Sequence, residues 1–277
     1  MIAALLIAVQ AVPALPPPTA TTAPTRTLGV LDADEQRRCR RAAEEDPAGG
    51  LVAANDWLRR GGGFLARQCL GVAQHLAGLH DAAERSFADA AREAQAAANA
   101  DIAAAMLAQA GNAALAAGRA AEARGHFDAA LAGSVLAGVT RGQVLVDRAR
   151  AAVAQGDVAA ARTDLTTATE LAPQDATAWL LRATLARRTG DLTGAQASIR
   201  TAAGLAPQDP AVALEAGNIA AAAGDAAAAR ASWQSAVSIG GASPAVETAR
   251  QRLAELTRAV PATASVPAPA SAAPPQR

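Results

Sequence analysis

A fixed interval of 34 residues separates three Gly-Asp pairs in the second half of the chain. The pairs are Gly156-Asp157, Gly190-Asp191 and Gly224-Asp225. Alanine stands five and twelve residues after each glycine, and a bulky apolar residue stands nine residues after it (Leu165, Ile199 and Trp233). A period near 34 with small and bulky residues at set offsets is typical of a helix-turn-helix solenoid, in which only stacked repeats bury a core.

Turn and cap residues at the same places support paired helices. Each repeated glycine can adopt the left-handed conformation that ends one helix, and the aspartate behind it can cap the next. Asp175 and Asp209 are placed to cap two further helices, and Pro210 suits a first helical position. Pro173 and Pro207 end the helices before them, because proline lacks an N–H donor. We therefore expect a glycine turn inside each helix pair.

These positions resemble the tetratricopeptide repeat (TPR) family, with Trp179 early in a first helix and then the turn glycine, alanine, bulky and proline positions. The resemblance extends upstream, where Gly78 and Gly118 are followed at the bulky offset by Phe87 and Phe127. Five repeats would then cover residues 64–243. The resemblance implies an all-α, right-handed helical solenoid of antiparallel helix pairs.

The chain departs from the family pattern in two respects. The intervals from Gly78 to Gly118 and from Gly118 to Gly156 are 40 and 38 residues, which predicts longer helices there. Arg148 and Arg182 occupy positions where the family usually has an apolar residue.

The segments outside the repeats carry their own signals. Residues 1–14 contain a short apolar run and the small residues Ala11 and Ala14, which indicates an export signal cleaved after one of them. The run is too short to span a bilayer. No Lys or Arg precedes it, so an ordinary apolar tail is the alternative. We expect a flexible linker over 15–30, a degenerate repeat over 31–63, a capping helix over 244–259 and a disordered tail over 260–277.

Within the degenerate repeat, a helix is expected to begin at 34–41 and to be broken by Asp46-Pro47 and Gly49-Gly50. Cys39 and Cys69 are the only cysteines and fall at equivalent places in two neighbouring units. In an oxidising periplasm such a pair suggests a disulfide. Two buried thiols packing as small apolar groups are the alternative.

Charge and composition argue against several functions. Lys plus Arg and Asp plus Glu each number 25, so nothing favours nucleic-acid binding. We expect His75 and His80 on different sides of one helix and His126 in another repeat, which predicts neither a metal site nor a catalytic base. We therefore expect no enzyme activity and no cofactor.

The TPR resemblance implies that the first helices line a concave face that accepts a peptide. Residues six and three before the turn glycines would point into it, and the predicted groove residues are His75, Asn112, Arg150, Thr184, Arg187, Arg188 and Asn218. The asparagines match positions at which TPR grooves hold a peptide backbone. Arg150, Arg187 and Arg188 would converge on a carboxylate or acidic segment of the partner.

Two functions are compatible with the sequence. The first is a scaffold or adaptor that binds a protein or peptide in its groove, in the periplasm or outside the cell. The second is a permanently assembled subunit of an envelope or secretion complex, without an exchangeable peptide. A large apolar patch outside the groove would favour the second.

Overall fold

The computed structural model of the chain describes residues 30–259. The expected export signal, most of the expected linker and the expected tail lie outside the described residues. Those residues form thirteen helices and no strand. In chain order the helices are α1 (Val30–Glu45), α2 (Pro47–Arg59), α3 (Gly63–Leu76), α4 (His80–Ala96), α5 (Ala100–Ala116), α6 (Ala120–Leu131), α7 (Gly138–Ala154), α8 (Val158–Leu171), α9 (Ala176–Arg188), α10 (Leu192–Leu205), α11 (Pro210–Ala222), α12 (Ala226–Ile239) and α13 (Pro244–Ala259). The prediction of an all-α helical repeat is confirmed.

Each of the five turn glycines lies between two helices. Gly78, Gly118, Gly156, Gly190 and Gly224 have φ between 75° and 82°, the left-handed region in which a Cβ would be strained. The aspartates cap as predicted: the side chain of Asp157, for example, accepts a hydrogen bond from the amide of Ala160. Asp209 accepts one from the amide of Ala211, with Pro210 at the start of α11.

The two long intervals are built differently from each other. Between Gly78 and Gly118, both α4 and α5 have 17 residues, so the prediction of longer helices is correct there. Between Gly118 and Gly156 the prediction is only partly correct. Here α7 has 17 residues, but α6 has only 12 and an irregular connection over 132–137 takes up the difference.

The N-terminal unit is more regular than expected. Asp46 caps α2 and Pro47 opens it, but Gly49 and Gly50 lie inside α2 and do not break it. Gly50 is needed for close packing, because a Cβ there would lie 2.5 Å from the Cα of Ala43 in α1. Glycine in this place lets two helix backbones approach each other.

The two cysteines, for which the sequence left two states open, are joined in the structure. A disulfide links Cys39 of α1 to Cys69 of α3, with their Cα atoms 6.2 Å apart, and both side chains are buried. The Cα separation falls within the range of ordinary disulfides. The first unit is thereby bonded covalently to the second.

Packing along the solenoid places the odd-numbered helices on one side. From α5 onward, each odd-numbered helix contacts the next odd-numbered one, as α1 contacts α3. Among the described residues, no even-numbered helix makes comparable contact with another even-numbered helix. The odd-numbered helices, which we call the first helices, therefore lie on the inner side of the curve. At the C-terminal end, α13 buries Val246 and Ala249, and Ala249 packs in a cluster with Trp233 of the last repeat.

The core follows a size rule that links the two helices of each repeat. Seven residues before the turn glycines stand Gly71, Gly111, Ala149, Ala183 and Gly217; opposite them, nine residues after the turns, stand Phe87, Phe127, Leu165, Ile199 and Trp233. Glycine always faces an aromatic ring, and alanine always faces an aliphatic side chain. A Cβ on Gly111 would lie 2.5 Å from the ring of Phe127, and one on Gly217 would lie 2.4 Å from the ring of Trp233.

This rule predicts that Gly111→Ala lowers the free energy of unfolding by about 1–3 kcal/mol, because an added methyl overpacks the ring. Helix propensity alone would give a gain of about 1 kcal/mol. Chemical denaturation followed by circular dichroism measures the change. Gly125→Ala is the matched control, since a Cβ on Gly125 in α6 would meet nothing within 4 Å, and it should stabilise the protein.

Adding Phe127→Leu to Gly111→Ala should recover part of the loss, because alanine facing an aliphatic residue is the arrangement of the third and fourth repeats. If Gly111→Ala were as stabilising as Gly125→Ala, the size rule would have no energetic basis.

Candidate functional site

A cleft with a volume of about 650 Å³ lies between α7 and the start of α9. We call it the central cleft; it is lined by Val139, Gln143, Val146, Asp147, Arg150, Ala172, Pro173, Gln174, Asp175, Ala176 and Thr177. Measured from their turn glycines, α7 begins four residues earlier than α9. Val139 lies on this extra turn, above the connection from α8 to α9. The longer first helix thus creates one wall of the cleft.

Three of the polar side chains near the central cleft are bonded to one another. Asp147 accepts hydrogen bonds from Asn112 of α5 (Nδ2 to Oδ2, 3.0 Å) and from Arg150 (Nη1 to Oδ1, 3.0 Å). Burial raises the pKa of Asp147 above its ordinary value, and the bonds from Asn112 and Arg150 oppose that rise. Asn112 therefore serves to join α5 to α7, whereas the exposed Arg150 keeps further N–H donors for a ligand.

Arg187 and Asn218 are tied together on α9 and α11. Arg187 donates to both oxygens of Glu215, from Nε at 2.7 Å and from Nη2 at 3.3 Å, and the Glu215 side chain is only 8% exposed. Asn218 donates to Glu215 Oε2 and accepts from Trp233 Nε1. Arg187 is thus a packing residue that points toward α11. It does not line the opening beside Arg150.

A smaller pocket lies between α7 and α9 beyond the central cleft. It has a volume of about 150 Å³, and we call it the α7–α9 pocket; its lining residues are Ala149, Arg150, Val153, Leu165, Leu181, Thr184, Leu185 and Arg188. Arg150 also lines the central cleft, so the two openings adjoin. The structure brings Arg150, Thr184 and Arg188, three of the predicted groove residues, together here. Arg188 is exposed and forms no ion pair with any other residue in the described part of the chain.

His75 lines a second pocket, between α3 and α5. This α3–α5 pocket has a volume of about 230 Å³ and is formed by Val72, His75, Leu76, Phe87, Gln109 and Asn112. The expectation that His75 and His80 occupy one helix was wrong: a turn separates α3 from α4, and the two rings meet with centroids 4.9 Å apart. Burial, with a smaller contribution from His80, lowers the pKa of His75 and favours the neutral ring.

The remaining histidine belongs to an ion-pair network on the second helices. His126 lies 2.8 Å from Glu84, which also pairs with Arg119. Burial acts to raise the pKa of Glu84, but the bonds from His126 and Arg119 outweigh it, and the pKa is lowered. Within residues 30–259, no group of three or more His, Cys, Asp or Glu side chains is placed to hold a metal ion.

Several inner-face residues were not singled out from the sequence. Gln36, Gln68 and Gln109 form a hydrogen-bonded row across α1, α3 and α5, at 2.7 and 3.1 Å. Asp147 and Glu215 hold the asparagines and arginines discussed above. Both acids stand nine residues before a turn glycine, so the repeat offset was a signal that could have revealed them.

The arrangement offers binding and positioning groups. Exposed guanidinium groups lie beside apolar pockets, a combination that fits an apolar side chain near a carboxylate. In the part of the chain that the structure describes, no helix is both long enough and apolar enough to cross a membrane.

Comparison with known proteins agrees with this architecture. A family model described as tetratricopeptide repeat matches residues 146–210 and 180–244. No curated protein matches the chain.

Solved structures share the fold at low sequence identity. PilW, described as a widely conserved type IV pilus biogenesis factor, has a TM-score of 0.65 and 19% identity over 80% of this chain and 99% of its own. PilF of Pseudomonas aeruginosa has a TM-score of 0.61 and 14% identity, and the match covers 80% of this chain and 99% of PilF. BtubC from P. vanneervenii has a TM-score of 0.55 and 15% identity, and the match covers 89% of this chain and 96% of BtubC. The family model thus identifies tetratricopeptide repeats over residues 146–244, and the solved structures share the helical fold of the chain.

Proposed function

We propose that this protein is a non-enzymatic scaffold that binds a peptide or protein segment along the inner face of its first helices. The observation that carries the proposal is the pair of adjoining openings along α7, which share Arg150. Val139, Gln143, Val146, Arg150 and Val153 follow one face of α7 through both openings. At about 1.5 Å per residue, this face runs for roughly 20 Å.

The chemistry of this face supports an anionic partner. Arg150 has one carboxylate partner, Asp147, and Arg188 has no ion pair within the described residues. A carboxylate on the partner would gain charge-assisted hydrogen bonds from both guanidinium groups. The same groups would find no comparable partner on an uncharged segment. We therefore propose an acidic residue or a carboxylate near the α7–α9 pocket.

The alternative, a permanently assembled subunit, has less support in this structure. Exposed large apolar side chains outside the groove include Val52, Leu79 and Val135. They lie on α2, on the turn before α4 and on the connection before α7. Single exposed apolar residues on separate elements are usual for soluble proteins, whereas a permanent interface needs a contiguous patch.

We also propose that the protein works in the periplasm or outside the cell. The apolar run within residues 1–14 and the small residues after it support export. The disulfide between Cys39 and Cys69 is independent support, because such bonds persist in oxidising compartments. PilW, one of the proteins with the same fold, is described as a pilus biogenesis factor.

Reversing the charges of Arg150, whose one carboxylate partner is Asp147, and of Arg188, which forms no ion pair within the described residues, tests the binding face. Arg150→Glu with Arg188→Glu should reduce capture of the partner from envelope extract by about tenfold or more for each charge-assisted hydrogen bond that the substitutions remove. Quantitative mass spectrometry of the captured proteins measures this. Arg187 is left unchanged, since its loss would leave Glu215 buried without its ion-pair partner.

Arg162→Glu with Arg200→Glu is the matched control. Both arginines are exposed on second helices, and the double reversal changes the net charge equally. Equal capture by the two double variants would rule out a role for the α7–α9 face, provided that both retain the helical circular dichroism of the natural protein.

A further inference from the structure

The α3–α5 and α7–α9 pockets are the same place in two different repeats. In each pocket, one first helix contributes the residues six and three positions before its turn glycine, and the second helix contributes the bulky residue nine positions after that glycine. The next first helix contributes the residues nine and six positions before its own turn glycine. Phe87 is the bulky residue of the first pocket and Leu165 that of the second. The pockets are therefore equivalent sites two repeats apart on the inner face.

At two other equivalent places, side chains are hydrogen-bonded to an acid instead. Between α5 and α7, Asn112 and Arg150 donate to Asp147. Between α9 and α11, Arg187 and Asn218 donate to Glu215. In both cases an acid stands nine residues before the turn glycine. At the open places this position holds Gln109 or Leu181, which cannot pair with an arginine as a carboxylate does.

The sizes of the pockets fit single apolar side chains. Their volumes are about 230 and 150 Å³, and a cavity of roughly 150 Å³ lined by apolar groups accommodates benzene. Val72, Leu76 and Phe87 give the α3–α5 pocket an apolar lining, to which His75, Gln109 and Asn112 add polar groups. Val153 is part of the apolar lining of the α7–α9 pocket, where Arg150 and Arg188 add positive charge. Neither pocket is lined by an acidic residue.

We infer that the partner is an extended segment with two apolar side chains six residues apart, one for each pocket, and a carboxylate beside the one that enters the α7–α9 pocket. Taking 8–10 Å, the usual spacing of packed helices, for each of the two intervals gives a span of roughly 16–20 Å. An extended chain rises about 3.3 Å per residue, which gives five or six residues. Successive side chains of an extended chain point to opposite faces. A spacing of six residues, unlike one of five, therefore directs both apolar side chains toward the protein. This inference rests on the proposed function.

Selection from a random dodecapeptide library displayed on phage tests the spacing without assuming a sequence. Enriched peptides should carry two aliphatic or aromatic residues six positions apart, with Asp or Glu next to one of them. Synthetic fluorescein-labelled copies are then measured by anisotropy. Moving one apolar residue by a single position should weaken binding at least tenfold, because its side chain then leaves the pocket.

Two pairs of variants provide matched controls. Leu76→Glu and Val153→Glu place a charge at the mouth of each pocket and should each weaken binding at least tenfold. Leu79→Glu and Val158→Glu alter residues of the same type and exposure outside the pockets and should change affinity less than twofold. The exposed fractions are 47% and 51% for the two leucines and 36% and 37% for the two valines.

Failure of the inference is distinguishable from failure of the proposed function. Peptides that bind equally well with five-residue and six-residue spacing, or that ignore both pocket variants, would overturn the two-pocket inference and leave the proposed function standing. If the selection enriches no peptide above a column without protein, both the inference and the proposed peptide binding are wrong.

Discussion

Replacing Arg148 with methionine is expected to lower the free energy of unfolding by about 3–5 kcal/mol, the usual cost of removing one member of a buried ion pair. Arg148 of α7 donates to both oxygens of Asp164 in α8, at 2.8 and 2.6 Å, and also to Asp128 of α6. The Asp164 side chain is only 5% exposed. These carboxylates, Asp164 above all, raise the pKa of Arg148 above its ordinary value. Without the arginine, a buried carboxylate would lose its partner.

Removing both members of the pair should have a much smaller effect. Arg148→Met combined with Asp164→Leu is expected to lie within about 1 kcal/mol of the natural protein, because apolar residues of similar size often replace a buried pair at little cost. Arg252→Met is the control, since Arg252 forms an exposed pair with Glu255 and should change stability by less than about 1 kcal/mol. Urea denaturation followed by circular dichroism measures all three. A loss below about 1 kcal/mol for Arg148→Met alone would contradict this account.

Replacing both cysteines with alanine is expected to cost about 3–4 kcal/mol, concentrated in α1 and α2. The disulfide closes a loop with a sequence separation of 30 residues, and a loop of this length restricts the unfolded chain by roughly that amount. The terminal unit of a solenoid has a neighbour on one side only, so its stability depends strongly on that contact. Hydrogen exchange measured by mass spectrometry should show faster exchange in α1 and α2 than in α7 and α8.

A reducing agent supplies the control for this prediction. It should destabilise the natural protein and leave the variant with two alanines unchanged, because only the natural protein has a bond to lose. If reduction left the exchange of α1 and α2 as slow as before, the hydrogen bond from Gln36 to Gln68 and the apolar contacts of this unit would be sufficient to hold it.

The candidate site could be predicted in part from the repeat offsets. The offset from the turn glycine placed Arg150, Thr184 and His75 on the inner face, where the structure has them lining pockets. It could not tell that Asn112, Arg187 and Asn218 are committed to internal bonds. For Asn112 and Arg187 the partner is an acid on the next first helix, about one repeat further along the chain, and for Asn218 it is Glu215 on the same helix.

The sequence by itself determined the repeat. Glycines that adopt positive φ, aspartates that cap and the pairing of glycine with aromatic residues are local or act within one helix pair, so their effect can be deduced from spacing. Only the tertiary structure decided which inner positions are open, which arginines are available to a partner and that Cys39 lies 6.2 Å from Cys69 between Cα atoms. These features depend on how closely successive repeats approach one another. That distance results from the packing of many side chains at once, and no single spacing in the sequence encodes it.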